Sequence, residues 1–411
     1  MAKKATDTFN KMSTLRRSSL IQKGSLAQGA GLRAVHAAAT GPSSVKRHFD
    51  VEHLTQEVLA GDVALIQGRW ILHEYRDWHN RAPVLGECLR RRQELPPVAM
   101  WNREELADHL RHGSVRIIAL SYCWITKLHP DPQGEQLQLV FRLLELLLRD
   151  DPFKEVALFI DYCSLYQKPR TPLQQASFER ALQNIGIWFA HRETTVWRVT
   201  RIQEPFLPYS SRGWPTFECA ISDLITEGKQ VLDLGKFQKY CAYSSFGEVE
   251  QQCTVNRKPP PTPDGFQRRI ETCTFADEAD RALVVRRYTE IFHGFVGFTR
   301  SILFRGLGWG PPDLEACAAL LPFASKLRRL DLEGNAAGKN GTAALAFELP
   351  HCTCLAELSL ARNGLDDEAA SALAHAIVHC KTLRLLDLAG NDIGDSGAAE
   401  LANALPRSGF G

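Results

Sequence analysis

The sequence predicts an α/β protein in two parts, a central parallel β-sheet with crossover helices and a C-terminal stack of strand–helix repeats. In the centre, apolar runs alternate with helical patterns, which is typical of a parallel sheet. In the last third, the pattern LxxLxLxxN occurs three times at a fixed interval. The chain has 411 residues, of which 44% are hydrophobic and 23% charged, so two or three domains with ordinary cores are expected.

Charge and cysteine content narrow the class of protein. The formal net charge is +2, so the whole chain gives no indication of nucleic-acid binding. The 11 cysteines have no paired short spacings, which indicates reduced thiols and a cytoplasmic location. No apolar run approaches the ~20 residues of a membrane-spanning helix, so we expect no membrane span.

The first 47 residues differ in composition from the rest. They contain nine Lys or Arg residues and a single acidic residue, Asp7. This composition predicts a disordered basic tail. It also fits an organelle transit peptide, which is rich in Arg and Ser and poor in acidic residues, and both interpretations stay open. We expect residues 48–112 to form an N-terminal extension packed on the central domain.

The central domain is predicted to span residues 113–235. Strands are expected over residues 115–120, 156–160, 194–200 and 229–234. A helix with apolar residues at helical spacing separates the first two strands. Thr171-Pro172-Leu173-Gln174 predicts a helix start with a capping box, and Pro215 is expected to open the last helix of the domain.

Polar and aromatic side chains follow the first two strands. Ser121, Tyr122 and Trp124 come at the end of the first strand, and Asp161 comes at the end of the second. In parallel sheets, ligand sites form beyond the carboxyl ends of the strands. These residues are therefore candidates for ligand binding.

The C-terminal third, residues 299–411, has the periodicity of leucine-rich repeats. Units start at Leu327, Leu355 and Leu383, 28 residues apart, and a degenerate unit precedes them. We expect the leucines to point into the stack and the asparagines that end each unit to form a ladder that binds the backbone. The interleaved helices resemble the ribonuclease-inhibitor type. Repeat arrays need covered ends, so we expect the array to continue beyond Gly411 or to meet a partner there. Residues 236–298 are predicted to be a helical connector.

The central motifs resemble the heterokaryon-incompatibility (HET) domain of fungi, whose pattern is L-S-Y-x-W followed by I-D-x-x-C-I-x-Q. Ser121, Tyr122 and Trp124 match its first part. Asp161, Cys163 and Gln167 match its second part, with a longer spacing from Cys163 to Gln167.

The order of elements also resembles a Toll/interleukin-receptor (TIR) domain, in which F-I-D is followed by W-C-x-x-E-L. Trp214 and Glu218 match the tryptophan and the glutamate, whereas Pro215 and Cys219 depart from that pattern. The resemblance covers about residues 115–235 and implies a flavodoxin-like parallel sheet, self-association and a signalling role. Together with the C-terminal α/β leucine-rich-repeat solenoid, it looks like the arrangement of multidomain proteins in protists.

In TIR relatives that are enzymes, the matching glutamate cleaves the nicotinamide–ribose bond of NAD. The resemblance therefore implies that Glu218 is catalytic, in the first turn of its helix, with NAD as substrate. Asp161 would bind ribose or orient a loop, Tyr122 or Trp124 would stack on a base, and Trp214 would lie at the same site. The alternative assigns the same residues ordinary roles, with Glu218 at a helix end, Asp161 in a turn and Trp214 in the core.

Two functions follow from these observations. The first is a protein-interaction or signalling protein, whose repeats bind a protein partner and whose α/β domain self-associates. The second is a NAD glycohydrolase that acts through Glu218. Whether the protein is an enzyme is left open, and no metal or further cofactor is indicated by the sequence.

Overall fold

A computed structural model of the chain describes residues 50–76, 88–151, 155–202, 206–225, 231–238, 242–255 and 257–409. The predicted basic tail at residues 1–47 lies outside these ranges. The strands of the central sheet are β1 (Ile66–Gln67), β2 (Val115–Ser121), β3 (Glu155–Phe159), β4 (Thr194–Arg198) and β5 (Val231–Asp233). The helices of this part are α1 (Val51–Ala60), α2 (Gly68–Glu74), α3 (Arg103–His112), α4 (Glu135–Asp150), α5 (Asp161–Ser164), α6 (Pro172–Gln183), α7 (Gly186–Phe189) and α8 (Gly213–Ile225).

The central sheet has the strand order β1-β3-β2-β4-β5. The pairs β2–β3, β2–β4 and β4–β5 are parallel, which confirms the predicted parallel sheet. The edge strand β1 pairs antiparallel with β3. The N-terminal extension thus adds a strand to the sheet, which the sequence did not predict.

The path of the chain creates a crevice at one end of this sheet. From β2 the chain runs through α4 to β3 on one side, and it then crosses back to β4 on the other side of β2. Helices that leave neighbouring strands in opposite directions open a crevice at the carboxyl ends of those strands. The polar residues that follow β2 and β3 lie at this end.

The start of α6 confirms the capping box predicted at Thr171. The Thr171 side chain accepts a hydrogen bond from the backbone N–H of Gln174, and the Gln174 side chain accepts one from the backbone of Thr171. Pro172 occupies the first turn, where no backbone N–H is needed. This local signal was strong because all three residue types favour the same helix start.

Helix α8 begins at Gly213, two residues before the predicted start at Pro215. The backbone fixes this start, since Gly213 N–H donates to the Thr274 carbonyl (3.0 Å) and Thr274 N–H donates to the Ser211 carbonyl (2.8 Å). A Cβ atom on Gly213 would lie 2.0 Å from the Phe275 ring, so only glycine fits there. Glu218 therefore lies in the second turn of α8, and its predicted place in the first turn is wrong.

The connector and the repeats follow. The predicted connector contains α9 (Phe246–Cys253), α10 (Pro263–Glu271) and α11 (Ala279–Val296). The repeat strands are β6 (Ser301–Leu303), β7 (Arg329–Asp331), β8 (Glu357–Ser359) and β9 (Leu385–Asp387). The repeat helices are α12 (Pro311–Ala318), α13 (Gly338–Glu348), α14 (Asp367–Ile377) and α15 (Asp395–Ala404).

The four repeat strands form one parallel sheet in sequence order. Leu330, the middle residue of β7, pairs with Ile302 on one side and Leu358 on the other, so neighbouring units are in register. The degenerate first unit thus supplies a full strand. The helices pack against one another and form the second layer of the array, beside the strands.

The asparagine ladder, formed by Asn335, Asn363 and Asn391, joins neighbouring units. The Asn363 amide donates to the carbonyls of Leu332 (2.9 Å) and Ala361 (3.0 Å), and its side-chain oxygen accepts from Ala337 N–H (3.3 Å). Asn335 and Asn391 make equivalent bonds. Asn335 and Asn363, which are buried, satisfy backbone groups that would otherwise be buried without partners.

One hydrophobic core extends from the central sheet through the connector into the repeats. Phe292 of α11 is fully buried and contacts Phe323 edge-to-face, with ring centroids 5.3 Å apart. The Trp309 indole at the start of the repeats donates to the Arg257 carbonyl (2.7 Å). The two predicted parts are therefore packed together, with the connector between them.

Two further features bear on the sequence predictions. None of the helices in the described ranges has the length and apolar character of a membrane-spanning segment. The ten cysteines of these ranges are all free thiols.

Candidate functional site

The candidate site lies where the carboxyl ends of β2 and β3 face helix α8. Ser121 is the last residue of β2 and is fully buried. Its hydroxyl donates a hydrogen bond to Oε2 of Glu218, and the Tyr209 hydroxyl lies 2.5 Å from the same Ser121 oxygen. The structure thus brings Ser121 and Glu218 together.

Burial sets the protonation state of Glu218. The side chain is half-buried, and loss of water raises the pKa of this carboxyl from 4.5 to about 8. The nearby Asp161 carboxylate also raises the pKa, whereas the Ser121 hydrogen bond and the Arg198 charge lower it. In the second turn of α8, Glu218 gains little from the helix dipole, which acts mainly within the first turn. Glu218 is therefore mostly a neutral acid at pH 7.

A chain of hydrogen bonds leads from Glu218 into the protein. It continues through Ser121 and Tyr209 to the Cys219 thiol, whose sulfur lies 3.4 Å from the Tyr209 hydroxyl. When Glu218 is ionised it can only accept, so Ser121 donates to it, Tyr209 donates to Ser121 and Cys219 donates to Tyr209. Burial raises the pKa of Tyr209 well above its ordinary value, so this hydroxyl keeps its proton. The chain holds the carboxylate in one orientation.

Asp161 is occupied by groups of the protein itself. Its carboxylate accepts from the Tyr122 hydroxyl, from the Trp124 indole N–H (2.9 Å) and from the backbone N–H of Tyr162 (2.6 Å). Burial raises the pKa of Asp161, and these hydrogen bonds oppose that rise. Of its two predicted roles, this arrangement matches the orientation of the loop after β2.

The two aromatic candidates are held by the same carboxylate. Tyr122 is buried at 5% exposure, whereas Trp124 is half-exposed and packs edge-to-face on Tyr162, with centroids 5.4 Å apart. An aromatic ring whose N–H is hydrogen-bonded and whose edge is packed can still stack on a ligand through its free face. Stacking of Trp124 on a base stays a prediction.

Trp214 does not join the other candidates. Its indole N–H donates to Asp280 of α11 (2.9 Å), and its ring packs edge-to-face on Phe217. It thereby helps attach α8 to the connector. Its predicted role in ligand binding has no support from this position.

The remaining residues of the HET-like pattern have structural surroundings. Cys163 is buried, and burial raises the pKa of its thiol. The Gln167 amide donates to the carbonyls of Asp161 (3.2 Å) and Leu165 (3.1 Å). Both residues therefore shape the loop after β3.

Arg198 and Tyr209 are parts of the site that the sequence analysis missed. Arg198 ends β4, is 5% exposed, and its Nη2 donates to the Cys219 carbonyl (3.1 Å), the Ser222 hydroxyl (2.6 Å) and Asp223 (2.8 Å). An arginine directly after Val196 and Trp197 in a predicted strand is a signal, because a buried charge needs a partner. Tyr209 lies in an irregular loop, and no pattern points to it.

Comparison with known proteins characterises only the C-terminal part. A family model described as Leucine Rich repeat matches residues 351–374 and 379–402. The C-terminal part of the chain contains leucine-rich repeats. A search of curated proteins finds no match.

Among the solved structures that match this chain, one shows only a weak similarity. It is described as leiomodin-1 actin-binding site 2, and the match has 17% identity and a TM-score of 0.27. It covers 29% of this chain and 70% of that chain. A similarity this weak does not establish a shared fold or function. Within the described ranges, no group of three or more His, Cys, Asp or Glu side chains is arranged to hold a metal ion.

Proposed function

We propose that the protein is an interaction protein, and that the outward side of strands β6–β9 binds a protein partner. The observation that carries this proposal is that the first residue of each repeat strand is exposed. Middle residues such as Leu330 and Leu358 are buried, whereas Arg329 and Glu357 before them are exposed. The exposed side chains of adjacent strands form one continuous row, the outward face, which offers a partner a pre-formed surface.

The outward face combines charged pairs with apolar side chains. Arg305 lies 2.8 Å from Asp331 and 2.9 Å from Glu333, and Arg329 lies 3.3 Å from Asp331. Arg305 and Arg329 are exposed, whereas Asp331 is 3% exposed, so the buried carboxylate holds the two guanidinium groups in place on a surface that a partner can reach. Leu303 and Leu385 are 57% and 49% exposed at the two edges, where they can serve as apolar contacts.

A matched pair of variants tests this proposal. We expect Leu385→Asp to abolish recovery of a defined partner in quantitative affinity purification, because it places a charge in the contact. Phe347→Asp is the control, since Phe347 is 76% exposed on helix α13, in the helical layer. Equal recovery with both variants would contradict binding at the outward face.

We further propose that the central domain is a flavodoxin-like, TIR-like or HET-like domain that self-associates. The order β3-β2-β4-β5 supports the flavodoxin-like part of this proposal, because it corresponds to the order 2-1-3-4 of flavodoxin-like sheets. Self-association rests on the resemblance alone. Sedimentation equilibrium of the full chain is expected to give a mass above that of the monomer, increasing with concentration. A monomer at every concentration would contradict self-association.

A second candidate function is hydrolysis of NAD through Glu218. The half-buried Glu218 carboxyl, oriented by Ser121 at the carboxyl end of β2, favours this candidate. An ionised carboxylate there would stabilise the positive charge that develops on the ribose as the nicotinamide leaves.

The raised pKa gives this candidate a distinctive pH dependence. Because the reaction needs the carboxylate, turnover should increase as the pH rises through about 8, where Glu218 ionises. Glu218→Gln should abolish turnover, and Glu179→Gln, a change on the exposed part of α6, should leave it unchanged. No NAD consumption by the natural protein at any pH would exclude this candidate.

A further inference from the structure

A cavity next to the Glu218 site has no role in either proposed function. It has a volume of about 150 Å³ and lies beyond the carboxyl ends of β4 and β5. One water needs roughly 10–15 Å³ by this measure, so the cavity has room for a group of phosphate size together with water. The charged and hydroxyl-bearing side chains of its lining include Arg198, Thr200, Ser210, Thr216, Asp233 and Arg269.

Arg198 supplies hydrogen-bond donors beyond those that the protein uses. Its Nη2 makes the three bonds to α8 described above. Its Nε is buried and has no hydrogen-bond partner among the described residues. A guanidinium carries five N–H donors, and a buried donor without a partner is costly, so this group is suited to an acceptor from outside the chain.

Arg269 adds a second positive charge to the cavity. It lies near the end of α10, and its side chain is exposed. Arginine recognises oxyanions through paired N–H donors, which lysine cannot reproduce. The two arginines therefore come from a strand end and a connector helix that only the fold brings together.

The one carboxylate of the lining is already occupied. Asp233 accepts from the Thr200 hydroxyl and from Gly235 N–H (2.9 Å). The Thr216 hydroxyl donates to the Ser210 carbonyl (3.3 Å), and Ser210 is an exposed residue of the lining. The lining thus contains two arginines and one engaged carboxylate, and Asp223 outside the lining pairs with Arg198 (2.8 Å). Arg269 is therefore the charge that an incoming anion would meet, with the hydrogen-bond donors of Arg198 beside it.

We propose that this cavity binds a phosphate group, held by Arg198 and Arg269 with the Ser210 hydroxyl as a further donor. The site is separate from the Glu218 carboxyl, although both share Tyr209 and Cys219 in their walls. Phosphate binding therefore does not depend on NAD hydrolysis. Either proposal can be wrong while the other is correct.

Binding of inorganic phosphate to the full chain tests the proposal. Isothermal titration at constant ionic strength should give saturable binding of one phosphate per chain. Arg269→Ala should weaken it at least tenfold, because it removes a bidentate contact from an exposed position that folding does not need. Arg268→Ala is the matched control, an exposed neighbour on the same helix that does not line the cavity, and it should bind as the natural protein does.

Two more titrations define where the phosphate binds and what the cavity selects. Glu218→Gln should bind phosphate with unchanged affinity, which distinguishes the cavity from the proposed NAD site. Acetate should bind more weakly than phosphate if the site is shaped for a tetrahedral dianion. The proposal is overturned by the absence of saturable phosphate binding, by equal losses in Arg269→Ala and Arg268→Ala, or by tighter binding of acetate.

Discussion

At the residue scale, Glu218 and Asp161 are two carboxyls at one sheet edge with different surroundings. Asp161 accepts three hydrogen bonds from neighbouring groups, whereas Glu218 accepts one from Ser121 and is otherwise deprived of water. Different environments separate the pKa values of paired carboxyls and thereby their chemical roles. Burial raises the pKa of both carboxyls, that of Glu218 to about 8, whereas the three hydrogen bonds of Asp161 oppose the rise there.

Glu218 should make the stability of the protein dependent on pH. Its folded-state pKa of about 8 lies above the ordinary 4.5, so the folded state keeps a proton that the unfolded chain loses. Stability from this group is fully present below pH 4.5 and falls by up to about 1.4 kcal/mol per pH unit as the pH rises to about 8. Glu218→Gln, which mimics the neutral acid, should unfold at a higher temperature than the natural protein at pH 8.5 and at a similar one at pH 5. Thermal unfolding at both values measures this, and an equal difference at both would contradict the raised pKa.

Asp161→Asn should destabilise the fold. The amide keeps a single acceptor oxygen and loses the other, so Tyr122 or Trp124 is left without a partner in a poorly hydrated place. We expect a loss of roughly 1–3 kcal/mol in the free energy of unfolding, measured with urea. Stability within about 0.5 kcal/mol of the natural protein would show that water replaces these contacts.

At the scale of elements, the asparagine ladder should matter most where it is buried. Asn363 is 1% exposed between two repeats, whereas Asn391 in the following unit is half-exposed. Asn363→Ala leaves several backbone groups unpaired and should cost roughly 2–4 kcal/mol. Asn391→Ala should cost less, because water reaches the groups that it exposes. Urea unfolding of both variants compares them, and an equal loss would contradict the role of burial.

The elements also show what the sequence could predict. Strands β2 and β4, the capped start of α6 and the three clear repeats each have a dense local pattern, and all were predicted. Strand β1 has two residues and exists only because it pairs with β3, so it has no local signal. The start of α8 depends on a backbone contact with Thr274, far along the chain.

In the candidate site, too, features that depend on contacts between distant residues could not be predicted from the sequence. Ser121, Tyr122, Trp124 and Asp161 were found because they follow strands directly. Glu218 was found by resemblance, although its environment was expected to favour the charged form. The cavity beside it joins Arg198 to Arg269, and a contact between such distant positions leaves no pattern in a single sequence.

At the scale of the whole molecule, the continuous core predicts that the central sheet and the repeats are coupled. Phe292 is fully buried in the connector between them, so Phe292→Ala should cost about 3–5 kcal/mol. Hydrogen exchange should then increase both in peptides from β2 and in peptides from α14. Phe347→Ala, on an exposed side chain, should change neither. An increase confined to the repeats would mean that the two parts unfold independently.

The central claim is that the outward face of β6–β9 binds a protein partner. Site-specific photo-crosslinking in cells tests it most directly, with the crosslinking residue at position 357 on β8 or at position 347 on α13. We predict a discrete crosslinked product from position 357 that Leu385→Asp abolishes, and none from position 347. The same product from both positions, or none from position 357, would contradict the claim.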